Sequence, residues 1–561
     1  FLIIDLQMCY NNTGKEGEFM KKILAKNIWP IIVCLLISVV FFIYGIKNFG
    51  TAFSEAAIDF KLTREEIKAK ANEFLALNGY QTGDEYYNTI SLSEDTIAKT
   101  FLDKEFGLEQ LQKFNDNGYK VWYWEVRRFK PLTKEEFYVS LNTDGRLISF
   151  RHIYEEERSG ANLSKEEALI IAEDFISSVQ GLNLENLVLK EEKQIAQPNR
   201  TDYKFEWELK SFSVGEAPYR YLVRIQGDEV GEYDEYLKVP ENWRRNFAKL
   251  RSQNSVYQTV SNIFFVILFI IIIINFIYRL VKRDLKLSLA LKLGILVFLL
   301  QLLSQLNMYP LYLSGYDVNQ SFSSFIIYFI MSGVVSGIIQ GFMIFLAVAS
   351  GETVYRQYFK EKIQIKELFK FKGFKLSETF YGSIWGYIMT MFHLGFVIMF
   401  YNISTNLGAW APASTQYTEM VNTLIPWIFP LTIGVMASVS EEFIFRVFAI
   451  PFVKKITKSN FLAVVVPAFL WGFLHSNYPQ QPGYIRGIEV GIIGVIAGII
   501  MIRYGILATL IWHYAIDATL VGLFLFGTKN LYFIISGVIV IGVVFIPVSY
   551  THLTLPTKRI V

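Results

Sequence analysis

"SVSEEFIFRVF", Ser438–Phe448, sets two adjacent carboxylates and a guanidinium inside a run that is otherwise apolar from about 423 to 452. A bilayer core penalises an ionised side chain by roughly 3 kcal/mol or more, so charges kept at that depth face a bundle interior and pair or work there. Working outward, apolar runs recur near 257–278, 288–308, 323–349, 380–401, 461–477, 486–502, 505–525 and 531–547, with one earlier run at about 28–46. Each is near the ~20 residues needed to span a bilayer. The 561 residues are 52% hydrophobic, and the mean hydropathy is +0.31, too apolar for a soluble chain of this length.

Loop charges give the orientation. Lys21, Lys22 and Lys26 precede the first run, and basic residues fill 279–286, the loop Arg356–Lys375, 454–458 and Arg503. The alternate loops, 309–320 and 402–422, hold no Lys or Arg. By the positive-inside rule this predicts a polytopic α-helical membrane protein of about ten spans, with a cytoplasmic N-terminus. The net charge of +3 gives no reason to expect a nucleic-acid partner. Cys9 and Cys34 have no metal or disulfide spacing. Residues 1–19, ahead of a start-like Met20, read as upstream translation, and 548–561 read as adaptor read-through. Both are set aside from the fold.

Between the first span (20–49) and the membrane block lies a charged, aromatic stretch, 50–254, predicted to be an inserted extracytoplasmic α+β domain. Two units are expected in it, about 60–158 and 161–240. "LTREEIKAKANEFL" (62–75) and "LSKEEALIIAEDFI" (163–176) each open with Thr or Ser followed three residues later by Glu, a capping box. Strand-like runs follow at 121–126 and 137–150 in one unit and at 203–209 and 221–233 in the other, with turns at Asp144-Gly145 and Gly227-Asp228. Trp122, Trp124, Tyr203 and Trp207 read as core. This pattern resembles a tandem of PepSY-like modules, and an unrelated α+β domain fits it equally.

Three spans carry the chemistry: Glu441, Glu442 and Arg446; His475 in "WGFLHSN"; His513 and Asp517 in "IWHYAID". At 1.5 Å per residue all lie roughly 12–21 Å from the cytoplasmic boundary, so they can meet in one plane. Glu442 and Arg446, four apart, form a self-neutralising pair on one helix face. Glu441 points about 100° away, toward a cavity. Asp517, four residues after His513, can orient its imidazole. A carboxylate and two imidazoles in a wet pocket can activate water, polarise a carbonyl or bind a divalent metal. His393 reads as a bundle hydrogen bond, Arg486 with Glu489 as an interfacial pair, and Gly494 with Gly498 as a packing face. The basic loop 356–375 can lie on anionic lipid or serve only as a positive-inside loop.

The ordered set EExxxR, aromatic-xxxH and HxxxD, over about 379–547, resembles the CAAX prenyl-protease and bacteriocin-processing (CPBP, or Abi) family of intramembrane proteases. The first motif is complete, and the third reads His513 to Asp517. The second departs, with Trp471 where phenylalanine is usual. The resemblance implies hydrolysis of a peptide bond in a membrane-associated peptide or protein. Glu441 and His475 would activate water, His513 and Asp517 would stabilise the oxyanion, and Glu442, Arg446 and Trp471 would support the site. Glu441, His475 and His513 can also form a facial site for a divalent metal such as zinc, so metal-bound and metal-free water activation both stand. The soluble domain would deliver substrate or act as an inhibitory module. A non-catalytic immunity or scaffold protein is the alternative. Transport fits less well, because the polar residues gather at one depth. Residues 255–378 add spans and the basic loop, and oligomeric state is not legible.

Overall fold

The computed structural model describes residues 16–52, 62–80, 85–360, 364–370, 377–410, 420–528 and 530–546, with the single positions 58 and 83. The terminal stretches read as foreign fall outside these residues, apart from 16–19 and the first residues of the first helix. That helix, α1 (Glu16–Lys47), includes the first apolar run.

The soluble domain follows. Helix α2 (Arg64–Leu77) starts at Thr63, whose backbone N–H donates to Glu66 at 2.8 Å. Strand β1 (Tyr87–Glu94), helix α3 (Thr96–Asp116) and strands β2 (Trp122–Phe129), β3 (Glu136–Asn142) and β4 (Leu147–Ile153) complete the first half. The second half opens with α4 (Lys165–Asp174), capped by Ser164 and Glu167 in the same way. It continues through β5 (Leu187–Ala196), β6 (Thr201–Val214), β7 (Ala217–Gln226) and β8 (Glu229–Leu237). All eight strands form one antiparallel sheet in the order β1-β2-β3-β4-β8-β7-β6-β5, the halves meeting at Ser149 opposite Asp234, Phe150 opposite Tyr233 and Arg151 opposite Glu232. Trp122, Trp124, Tyr203 and Trp207 are buried in its core.

Strands β1 and β5 and helix α3 were not expected. Strand β5 reads "LVLKEEKQIA", with too much charge to show an apolar alternation, and β1 reads "YNTISLSE" with only two large apolar side chains. Both lie at sheet edges, where one side of the strand has no strand partner to bury against.

The membrane block consists of α5 (Glu241–Val281), α6 (Leu287–Asn307), α7 (Phe322–Tyr358), α8 (Ser377–Thr405), α9 (Ile428–Glu441), a π-helical segment Glu442–Ala449, α10 (Ile450–Thr457), α11 (Asn460–Leu474), α12 (Ile485–Tyr504), α13 (Ile506–Gly527) and α14 (Leu531–Val544). Among the described residues eight helices are long and apolar enough to cross a membrane: Trp29–Lys47 within α1, α5, α6, α7, α8, the run from α9 through α10, α12 and α13. Helices α11 and α14 are apolar but shorter, at 15 and 14 residues. Of the ten apolar runs, eight therefore reach spanning length.

Two features position the site. Helix α5 is 41 residues long and begins at Glu241, only Lys238, Val239 and Pro240 after the sheet. It is thus a continuous rod from the soluble domain into the bundle. Helices α11 and α12 pack backbone to backbone, since a Cβ on Gly472 would lie 2.4 Å from the Gly487 carbonyl oxygen. The expected packing glycines, Gly494 and Gly498, face α11 against Ala468, Trp471 and Val464.

Candidate active site

The charged stretch is not a continuous α-helix. Glu441 ends α9, and the next eight residues, all buried, turn as a π-helix. Such wide turns, bonded i to i+5, are rare and concentrate at functional sites. The expected pair still forms, with Arg446 Nη1 3.0 Å from Glu442 Oε1. It is not self-contained, however, because His513 Nδ1 lies 2.8 Å from that same oxygen. A carboxylate only accepts, so this contact places the proton on Nδ1 and turns His513 Nε2 toward the remaining acids.

Those acids are Glu441, with Oε2 3.6 Å from Nε2, and Asp517, with Oδ2 3.5 Å from it. Asp517 stands beside the His513 ring as expected, but it is not the nearest carboxylate. Glu442, completely buried, makes the short orienting contact, while Asp517 flanks the other nitrogen and stays partly open. The four-residue spacing on α13 could not show this, because the shorter partner comes from a different helix.

Trp471 joins the parts. Its Nε1–H donates to Glu441 Oε2, its ring lies 4.0 Å from the Arg446 guanidinium carbon, and its carbonyl accepts from His475 Nδ1 at 3.0 Å. A desolvated cation–π contact of this kind contributes about 2 kcal/mol. A phenylalanine here would supply the ring and the carbonyl but no donor. His475 is therefore left with Nε2 as its bare acceptor, and it lies within electrostatic reach of Glu441. It stands at the C-terminal end of α11 rather than inside a span.

The metal reading meets an obstacle. Among the described residues no three His, Cys, Asp or Glu side chains are gathered closely enough to hold a metal ion. The indole N–H of Trp471 occupies the Glu441 oxygen that faces His513. Glu441, His475 and His513 therefore do not fit as a facial ligand set.

His393, Arg486 and Glu489 belong together. Trp512 donates to His393 Nδ1 at 3.3 Å, His393 Nε2 is 3.7 Å from Glu489 Oε1, and Glu489 pairs with Arg486. Arg486 and Glu489 pair as expected, and Glu489, which has no exposure, joins that pair to His393 in one cluster.

The residues missed from sequence are on α5. A helix ending within the bundle leaves its last carbonyls without intrahelical partners, and a low-dielectric interior makes that expensive. Ser261 donates to the Leu470 carbonyl at 2.8 Å and Gln258 to that of Leu474 at 3.1 Å. Asn254, fully buried, sets its amide nitrogen 2.9 Å from each of the Ser476, Tyr478 and Gln480 carbonyls, its two N–H groups shared among three acceptors. Arg251 reaches the carbonyls of Asn477 and Tyr478 at 2.7 and 2.9 Å. The legible signal was a polar stripe at 251, 254, 258 and 261, one face of a helix. Asn254→Ala should leave buried acceptors unmet, at a cost of about 1–3 kcal/mol. Hydrogen–deuterium exchange should then quicken across 475–481 while α13 keeps its protection. Unchanged exchange there would sink the clamp.

Residues 423–519, which hold every motif residue, match the family model "Type II CAAX prenyl endopeptidase Rce1-like". The chain is also 22% identical over 213 residues to the sporulation-killing factor biosynthesis protein SkfC of Bacillus subtilis (strain 168). That alignment covers 37% of this chain and 40% of the relative's length. No solved structure matches.

Proposed function

From a CPBP-type domain in the membrane block as premise, we propose that the protein is an intramembrane endopeptidase acting on a membrane-associated peptide or protein. The observation that carries this reading is the convergence of Glu441 and Asp517, both partly open, on the Nε2 side of a buried His513. Glu441 accepts a proton from water as the water oxygen attacks the scissile carbonyl. His513 acts as the imidazolium, one proton held at Nδ1 by Glu442 and a second at Nε2 between Glu441 and Asp517, and donates its Nε2–H to the oxyanion that forms. Collapse of the tetrahedral intermediate breaks the C–N bond, and the proton held at Glu441 passes to the leaving amine. His475, with Nε2 as acceptor, helps orient the water. The basic loops support a cytoplasmic N-terminus and an extracytoplasmic sheet domain.

A fluorogenic farnesyl-cysteine peptide is a suitable first probe, because the matched family is named for prenyl endopeptidases. The purified protein in proteoliposomes is incubated with it and, in parallel, with peptides extracted from host membranes, and new termini are read by mass spectrometry. His475→Ala should lower cleavage by about 100-fold or more, the range for loss of a positioned acid–base group. If unaltered protein cleaves nothing, or the variant cleaves equally, the peptidase reading falls and a non-catalytic scaffold takes its place.

A further inference from the structure

A second polar centre lies far from the motif residues, in the soluble domain. At the seam between the two halves of the sheet a cavity of about 530 Å³ opens between the chain leaving α2 and the start of β8. Tyr80, whose hydroxyl donates to the Val230 carbonyl at 3.2 Å, ties these two sides together. The walls are aromatic: the Phe137 ring stacks on His152 at 4.3 Å, and Tyr80 meets His152 edge-on at 4.9 Å.

Apart from Arg158 and Asn78, the polar side chains lining this cavity are left as acceptors, since the Tyr80 and Tyr86 hydroxyls already donate elsewhere. Tyr86 donates to Glu135 Oε2 at 2.8 Å, and His152 Nε2 lies 3.0 Å from Glu135 Oε1. Because the carboxylate can only accept, that contact puts the ring proton on Nε2 and leaves Nδ1 a bare acceptor. His152 is 2% exposed, and its Nδ1 has no partner. Burial holds the imidazole pKa below its usual value, which keeps the ring neutral. Glu229 adds a second carboxylate at the rim. The groups facing the cavity thus ask for a ligand rich in N–H donors, cationic, and flat enough to lie against an aromatic wall. A guanidinium meets all three demands.

The chain shows the same preference internally. Arg158 stands at the rim with its nitrogens 3.7 Å from Glu135 and 3.7 Å from Glu229, beyond hydrogen-bond length, while its guanidinium carbon covers Tyr154 at 4.3 Å. It balances both carboxylates without filling the cavity. We infer that this cavity binds the arginine side chain of a peptide segment, with Glu135 and Glu229 pairing its charge and the His152 ring accepting one of its N–H groups. The inference does not depend on the peptidase reading.

The test uses the full chain in lipid nanodiscs and fluorescence anisotropy of fluorescein-Gly-Arg-Gly-amide. Unlabelled Gly-Arg-Gly-amide should displace it, the citrulline analogue should compete at least tenfold more weakly, and free L-arginine shows whether the peptide backbone contributes. Glu135→Gln should weaken binding about tenfold. Glu229→Gln, at the exposed rim and safe for folding, should weaken it severalfold. Arg158→Ala should strengthen binding, since an internal competitor is gone. Absence of saturable binding up to millimolar peptide, equal competition by citrulline, or unchanged affinity in both Glu variants would each overturn the assignment.

Discussion

Glu441→Gln is expected to abolish detectable cleavage while leaving the protein folded and in the membrane at its normal level. The expected loss is about 10²–10⁴-fold, the usual contribution of a positioned general base. Folding should survive because the glutamine carbonyl can still accept from the Trp471 indole. The Glu441 side chain is also 27% exposed and does not balance the Arg446 charge at close range. A companion, Trp471→Phe, keeps a ring over Arg446 and removes the donor to Glu441. It should lower kcat about tenfold with little change in thermal midpoint, the scale of one lost hydrogen bond to a charged group. Normal turnover by the Glu441 variant would remove it from the mechanism.

The second large effect falls on folding. Glu442 is buried with no exposure, forms an ion pair with Arg446 and accepts a hydrogen bond from His513. Removing one partner of a buried pair leaves an uncompensated charge and costs about 3–5 kcal/mol. Glu442→Ala should therefore accumulate poorly and melt early. The double variant Glu442→Ala with Arg446→Leu removes both charges and should recover much of the accumulation. Its activity should stay absent, because His513 has lost the acceptor that holds its ring. A double variant that recovers both stability and cleavage would reduce Glu442 to a charge-balancing role.

Much of this architecture was legible because bilayer physics writes itself in composition. An apolar run near 20 residues carries its own signal, and Thr63–Glu66 and Ser164–Glu167 announce helix starts within four residues. The pairing of Glu442 with Arg446 was readable for the same reason, as it lies within one turn. What was not legible depends on partners remote in sequence. Glu442 orients His513 across 71 residues, and Asn254 serves the loop after His475 across more than 220. No local spacing encodes such contacts. The π-turn escaped for a different reason: its residues have ordinary helix preferences, so nothing in their local pattern marks the wide register. Strand β5 was missed because its charged residues suit a solvent edge and so hide the period of two.

The two edges of the sheet are closed by different means, and this has a consequence for the soluble domain as a separate piece. Strand β5 protects itself with Lys190, Glu191, Glu192 and Lys193, charges that discourage a second strand from docking. Strand β1 carries no such guard. Its Leu92 N–H and carbonyl are instead met at 2.6 and 3.0 Å by the side-chain amide of Asn422, from the loop that leads into α9. One asparagine of the membrane block thus imitates the peptide group of a missing ninth strand. Cut free from the bilayer part, the domain would become an unfinished ladder with one live rung, inclined to recruit another copy of itself. The membrane region acts here as a stopper as well as an anchor.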